Sequence, residues 1–200
     1  DPAELPALLQ ALTAADVHTT TRLALQFTIL TAARTGEVRF ATWDEIDLEK
    51  RLWSIPAARM KMQRPHVGPL STGALAILKR AKILYGDSGY IFPGAKGPAK
   101  PFSENTMLYC LYRIGYKDKA TPHGFRALFS TIANEAGFNP DAIERQLAHQ
   151  EKSAVRGAYN RGVYLKERAE LMQWWSDHLH HLEHGADIVP IGRKKAASGE

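Results

Sequence analysis

Apolar residues along this chain recur mostly at three- and four-residue intervals, and that spacing is interrupted by one pair of short strand-like segments. Leu5, Leu8, Leu9 and Leu12, then Leu23, Phe27 and Leu30, follow the spacing of a single buried helix face. The second of these runs meets Thr35-Gly36, a place for a helix to stop or bend, so Arg34 is expected at a helix end. Leu52-Trp53-Ser54-Ile55 reads instead as a strand, residues 66–70 as its partner and the polar stretch 59–64 as a basic hairpin tip.

Further helices are predicted over residues 72–84, capped by Ser71, then 103–114, 122–136, 140–147 and 166–182. Tyr90-Ile91-Phe92 before Pro93 reads as a short third strand, and residues 94–101 as a Gly/Pro/Lys loop that presents Lys96 and Lys100 to phosphates. The fold class is therefore mainly α with a small antiparallel β-sheet, an α+β domain over residues 1–184. Residues 185–200 follow as a tail, with an apolar Ile188-Val189-Pro190-Ile191 and a basic Arg193-Lys194-Lys195.

A chain of 200 residues fits one domain with a proper core. Its 26 Lys and Arg against 21 Asp and Glu leave +5, and the pI near 9.3 favours a polyanionic partner and allows nucleic acid. The single Cys110 excludes an internal disulfide framework and suggests a reducing compartment, with a buried thiol expected. No apolar run approaches membrane-spanning length, so a cytoplasmic protein with no membrane partner is expected. His178, His180, His181 and His184 lack clear cysteine or carboxylate partners and read as the polar face of a last helix; neither a metal site nor a cofactor is expected.

Thr121-Pro122-His123-Gly124-Phe125-Arg126 completes a set with Arg34 upstream and with Leu147-Ala148-His149 and Ala158-Tyr159-Asn160-Arg161 downstream. Two arginines, two histidines and a tyrosine suit metal-free phosphodiester chemistry. Planar guanidinium forks match the nonbridging oxygens of a phosphorane-like state, where negative charge develops. A phenol is a better leaving group than an alkyl alcohol, so a phosphotyrosine ester stays open to attack by a DNA hydroxyl without ATP or metal. Because a free phenol titrates at about pH 10, Tyr159 needs a proton acceptor or a strongly cationic site, and His123 and His149 are the available imidazoles. If Thr121-Pro122 opens a helix, His123 and Arg126 point from one face toward one anion.

Ala33-Arg34-Thr35-Gly36-Glu37, Met60-Lys61, His123-Gly124-Phe125-Arg126, Leu147-Ala148-His149 and Ala158-Tyr159, in that order, resemble the tyrosine recombinases of the phage-integrase family, and most of all prophage and genomic-island integrases. The likeness runs from the first helix to Trp174-Trp175. It implies the tyrosine recombinase catalytic-domain fold and strand cleavage and rejoining through a 3′-phosphotyrosine at Tyr159, serving integration and excision. It also implies catalytic roles for Arg34, Lys61, His123, Arg126 and His149, with Glu37 supporting Arg34.

Tyr164 is a nearby rival nucleophile, but the Ala-Tyr-Asn-Arg setting and the spacing from His149 belong to Tyr159. Lys61, the hairpin lysine of the resemblance, would protonate the departing 5′ oxygen; Arg59, Arg64 and His66 share the hairpin and remain alternatives, and Arg59 and Arg64 join Lys96 and Lys100 as candidate DNA contacts. The resemblance further implies a homotetramer on paired sites, accessory DNA-bending proteins, separate N-terminal DNA-binding domains absent from this chain, and a 185–200 tail that docks on a neighbouring copy. Type IB topoisomerase-like strand cleavage is the rival within the same chemistry. A catalytically silent DNA-binding module is the rival outside it.

Overall fold

The computed structural model describes residues 1–60, 63–149 and 164–185. Eight α-helices lie among them: α1 (Leu5–Ala14), α2 (Thr19–Thr31), α3 (Thr35–Arg39), α4 (Thr72–Tyr85), α5 (Thr106–Arg113), α6 (Gly124–Glu135), α7 (Pro140–Gln146) and α8 (Leu165–His184). The mainly helical expectation holds, with helix bounds within a few residues of those read from the apolar spacing.

Helix α2 is buried on almost every side, with Leu25, Phe27 and Ile29 inaccessible to solvent, which makes it the central helix of the domain. Two of its buried hydroxyls are satisfied locally, since Thr28 and Thr31 donate to the carbonyls of Ala24 and Phe27 at 2.8 and 2.7 Å, while that of Thr20 has no hydrogen-bond partner among the described residues. The long C-terminal helix α8 lies against α1, α2 and α4. Trp175 is fully buried there, its indole N–H donates to Ile29 O at 2.9 Å, and its ring meets Phe129 edge-on at 5.4 Å, so the tryptophan pair packs the last helix onto the core. The close approach of α4 to α8 depends on Gly73, where a Cβ would come within 2.5 Å of Ser176 Oγ.

A three-stranded antiparallel sheet is ordered β1 (Ile46–Asp47), β2 (Leu52–Ile55), β3 (His66–Pro69), in a register that pairs Trp53 with Gly68 and Ile55 with His66. The hairpin read from the sequence is thus present, but the third strand is not the one expected. Tyr90 makes only an isolated bridge to Thr42, and Ile91 and Phe92 sink fully into the core, where Phe92 packs on Phe27 at 5.5 Å. The apolarity of that tripeptide reports burial, not a ladder. Residues expected as a plain loop instead form a second hairpin of β4 (Pro93–Gly94) and β5 (Gly97–Pro101). Cys110 is buried, and burial pushes its thiol pKa up.

Candidate active site

Helix α2 ends because Ala32 adopts a left-handed backbone (φ 51°), and Arg34 then becomes the extended N-cap of α3. The chain therefore breaks at Arg34 and restarts, which swings the side chain off both helices. Glu37, only 6% exposed, accepts from the Arg34 backbone N–H at 2.9 Å and from its Nη1 at 2.8 Å. The same carboxylate fixes the backbone and the guanidinium of Arg34. Arg34 Nη2 reaches Ala148 O at 3.4 Å.

Arg126 enters from the first turn of α6 and is 4% exposed. Its Nη1 donates to Ala32 O and its Nη2 to Leu147 O at 2.6 Å. Arg34 and Arg126 thus converge on consecutive carbonyls of the turn that ends α7, a turn made possible by a second left-handed alanine, Ala148 (φ 50°). Burial, reinforced by the neighbouring Arg34 cation, lowers the Arg126 pKa to about 10, so it stays a cation at neutral pH.

His149 closes this group. Its Nδ1–H donates to Glu144 Oε2 at 2.8 Å, which leaves Nε2 unprotonated and 3.5 Å from Arg126 Nη2 when the ring is neutral. His123 is placed differently from expectation. The 121–123 stretch is a turn closed by Thr121, whose Oγ1 accepts from Gly124 N–H at 3.1 Å, and α6 begins only at Gly124 with His123 as its N-cap. His123 is therefore exposed at the mouth of the helix while Arg126 is buried one turn further in, and among the described residues no side-chain hydrogen bond joins His123 to the group. Lys61 and Tyr159 lie outside the described residues.

Of the candidate DNA contacts, Arg64, Lys96 and Lys100 are exposed, the latter two on the β4–β5 hairpin. Arg59 is turned inward. It donates to Phe40 O and, at 2.8 Å, to Glu37 O, and its Nε lies 3.0 Å from Glu45 Oε1 as an ion pair without hydrogen-bond alignment. Glu45 is also held by the Trp53 indole N–H at 2.9 Å, and its burial raises its pKa. Arg59 is a brace between the hairpin and the backbone of Glu37, not an outward phosphate contact.

Three residues of the site region were not picked out as such in the sequence. His66, weighed only as a hairpin-tip alternative to Lys61, starts β3 and keeps some exposed surface. Burial of its ring, with the cations of Arg168, Arg34, Arg126 and Arg145 around it, pushes its pKa down to about 3. Arg168, 6% exposed, donates through Nε and Nη2 to Gln146 Oε1 at 3.1 and 2.9 Å and through Nη2 to Val67 O at 2.6 Å. Gln146 in turn donates to Thr31 O at 3.2 Å. A signal for Arg168 did exist: it shares the helix face of Leu171, Trp175 and Leu179, so it is a charge set on an apolar stripe. Among the described residues no group of three His, Cys, Asp or Glu side chains is placed to hold a metal ion, and no helix is long and apolar enough to cross a membrane.

Residues 1–164 match the sequence profile of the Phage integrase family. The chain is 43% identical over 188 residues to the prophage integrase IntA of Escherichia coli K12, covering 94% of this chain and 46% of that protein. It is 40% identical over 190 residues to the integrase of Enterobacteria phage P4, covering 87% and 43% respectively. It therefore spans less than half the length of these relatives. Among solved structures, the integrase from mycobacterium phage Brujita superposes with a TM-score of 0.65 at 21% identity, over 84% of this chain and 55% of that one. XerA recombinase does so with a TM-score of 0.58 at 14% identity, over 91% and 62%. The break at Arg34, the buried Arg126 and the His149 turn stand on the fold shared with these proteins, and the chain belongs to the phage integrase family, as a tyrosine recombinase catalytic domain.

Proposed function

We propose that this chain is the catalytic part of a longer site-specific recombinase that cuts and rejoins double-stranded DNA through a 3′-phosphotyrosine, serving prophage or genomic-island integration and excision in a bacterial cytoplasm. The observation that carries the reading is the convergence of Arg34 and Arg126 on the Leu147-Ala148 carbonyls beside His149. Two oriented guanidinium groups next to an imidazole suit a phosphodiester whose nonbridging oxygens gain charge at the transition state.

In the proposed reaction the Tyr159 hydroxyl attacks the scissile phosphorus, the bond from phosphorus to the 5′ oxygen breaks, and the phenol proton passes to an imidazole, His123 or His149. Lys61 donates a proton to the departing 5′ oxygen. The 5′ hydroxyl of a partner strand then attacks the phosphotyrosine and releases Tyr159. Glu37 holds Arg34 in place, and Arg64, Lys96 and Lys100 contact flanking phosphates.

The working assembly is a homotetramer on paired sites, assisted by DNA-bending proteins, in which residues 185–200 dock on a neighbouring copy. A groove of about 440 Å³ lined by Leu9, Leu12, Ile29, Leu179, Asp177 and Glu183 supports that role, since the tail offers Ile188, Val189 and Ile191 followed by three basic residues. The Tn1549 transposon integrase, 18% identical with a TM-score of 0.59, was solved in complex with circular intermediate DNA. The test is a nicked duplex whose cleaved end diffuses away. A covalent protein–DNA adduct mapping to Tyr159, absent in Tyr159→Phe while DNA affinity is retained, is the expected result. An adduct on Tyr164 or on a serine, or metal-dependent scission without an adduct, would overturn it.

A further inference from the structure

Arg168 stands in the first turns of α8, where the helix dipole is positive, and it is 6% exposed. Among the described residues no carboxylate forms an ion pair with it, and burial lowers its pKa to about 10. A buried cation held only by neutral acceptors is a poor way to fill an apolar interface, because an aliphatic side chain would pack there without the desolvation penalty. The guanidinium does have a feature no aliphatic group has, a rigid fork that satisfies two acceptors in fixed directions.

Those acceptors belong to two different pieces of the site. Val67 O lies on β3, the return strand of the hairpin whose tip carries Lys61, and Val67 pairs with Ser54 in the ladder. Gln146 Oε1 lies at the end of α7, one residue before Leu147, whose carbonyl holds Arg126. Gln146 also donates to Thr31 O, one residue before Ala32, whose carbonyl holds the other arm of Arg126.

We propose that Arg168, acting with Gln146, is a positioning residue that fixes the hairpin bearing Lys61 against the backbone cradle of Arg126, so that the proton donor and the phosphate clamp share one frame. The inference rests on Lys61 being the general acid. A hairpin displaced by about 1 Å would misplace the proton at a cost of about 10²-fold in rate.

The test uses the whole chain on the nicked duplex, with either the natural phosphate or a 5′-bridging sulfur at the scissile position, whose departure needs no proton. Arg168→Gln is expected to slow adduct formation about 10²-fold on the phosphate and to recover most of it on the sulfur substrate, as Lys61→Ala does. Combining the two substitutions is expected to add little beyond either alone. Arg168→Lys, which keeps the charge and loses the fork, is expected to be as slow as Arg168→Gln. Gln146→Asn, which shortens the acceptor and leaves Arg168 in place, is expected to give the same substrate-dependent recovery and serves if Arg168→Gln does not fold. Equal loss on both substrates, or full activity of Arg168→Lys, would overturn the positioning role. Recovery of Lys61→Ala without recovery of Arg168→Gln would overturn it alone, whereas failure of the sulfur substrate to restore Lys61→Ala would overturn the general-acid reading beneath it.

Discussion

Arg126 Nη2 and His149 Nε2 stand 3.5 Å apart across the gap between the start of α6 and the end of α7, with Glu144 behind the imidazole at 2.8 Å. Guanidinium, imidazole and carboxylate are linked by two successive contacts. Arg126→Lys keeps the cation but cannot reach Ala32 O and Leu147 O together. Adduct formation on a nicked duplex is expected to fall by about 10²–10³, by analogy with losing one transition-state donor, while DNA affinity in a gel-shift titration changes far less.

Glu37→Gln tests the other half of the clamp. The carboxylate is buried and holds Arg34 at two points. Neutralising it leaves the Arg34 cation unpaired, so a stability loss of about 1–3 kcal/mol in denaturant titration is expected, with slower adduct formation at saturating DNA. Unchanged stability together with unchanged rate would remove Glu37 from the supporting role.

Acid stability depends on His66. Its folded pKa, pushed to about 3, lies below the unfolded value of 6.5. The unfolded chain therefore binds the extra proton between those limits, and the stability present above pH 6.5 is lost as pH falls toward 3. His66→Gln is expected to flatten the decline in melting temperature between pH 6.5 and 4, and an identical decline in both proteins would show that other groups set the acid limb.

Gly73→Ala places a methyl group within 2.5 Å of Ser176 Oγ and 3.2 Å of Leu30. A loss of about 1–3 kcal/mol is expected from overpacking, recovered in part by Ser176→Gly, as measured by chemical unfolding of the two single variants and the double.

DNA binding is expected to weaken with salt at a slope of about −0.9 per phosphate contact, and Arg64→Ala, Lys96→Ala and Lys100→Ala should each reduce that slope by about one contact. Arg59→Ala is expected to lower stability and leave the slope nearly unchanged, because its guanidinium is engaged with Glu45 and two backbone carbonyls. A flat salt dependence would show that the positive charge is not the binding surface.

What the sequence revealed followed periodicity and local chemistry. Helices α4 and α8, the β2–β3 hairpin and the helix break at Arg34 were legible because apolar spacing and capping residues are local signals. Tyr90-Ile91-Phe92 misled because three apolar residues look alike whether they join a ladder or fill a core, and Phe27 decides between these from far away in the chain. His123 slid to the N-cap because Thr121 closes a turn around Pro122 by accepting from Gly124 N–H, a competition between side chain and helix that proline alone does not reveal. Arg59 was opaque because an arginine in a basic sequence looks solvated until the carbonyls that bind it are placed by distant segments; Arg168 was marked by its place on an apolar stripe, but its partners Gln146 and Val67 are set by the tertiary fold.

The two left-handed alanines, Ala32 and Ala148, present their carbonyl oxygens to Arg126 and Arg34 respectively. Peptide oxygens orient a guanidinium through their dipoles and carry no net charge, so they aim a cation without cancelling it. Arg126 is aimed by carbonyls alone, whereas Arg34 is also paired with the Glu37 carboxylate, which offsets part of its charge. At Arg126, then, aim and charge are supplied by different parts of the chain, the first by backbone carbonyls and the second by the side chain. The Arg126 cation thus keeps its charge uncancelled at the point where the proposed phosphodiester would arrive.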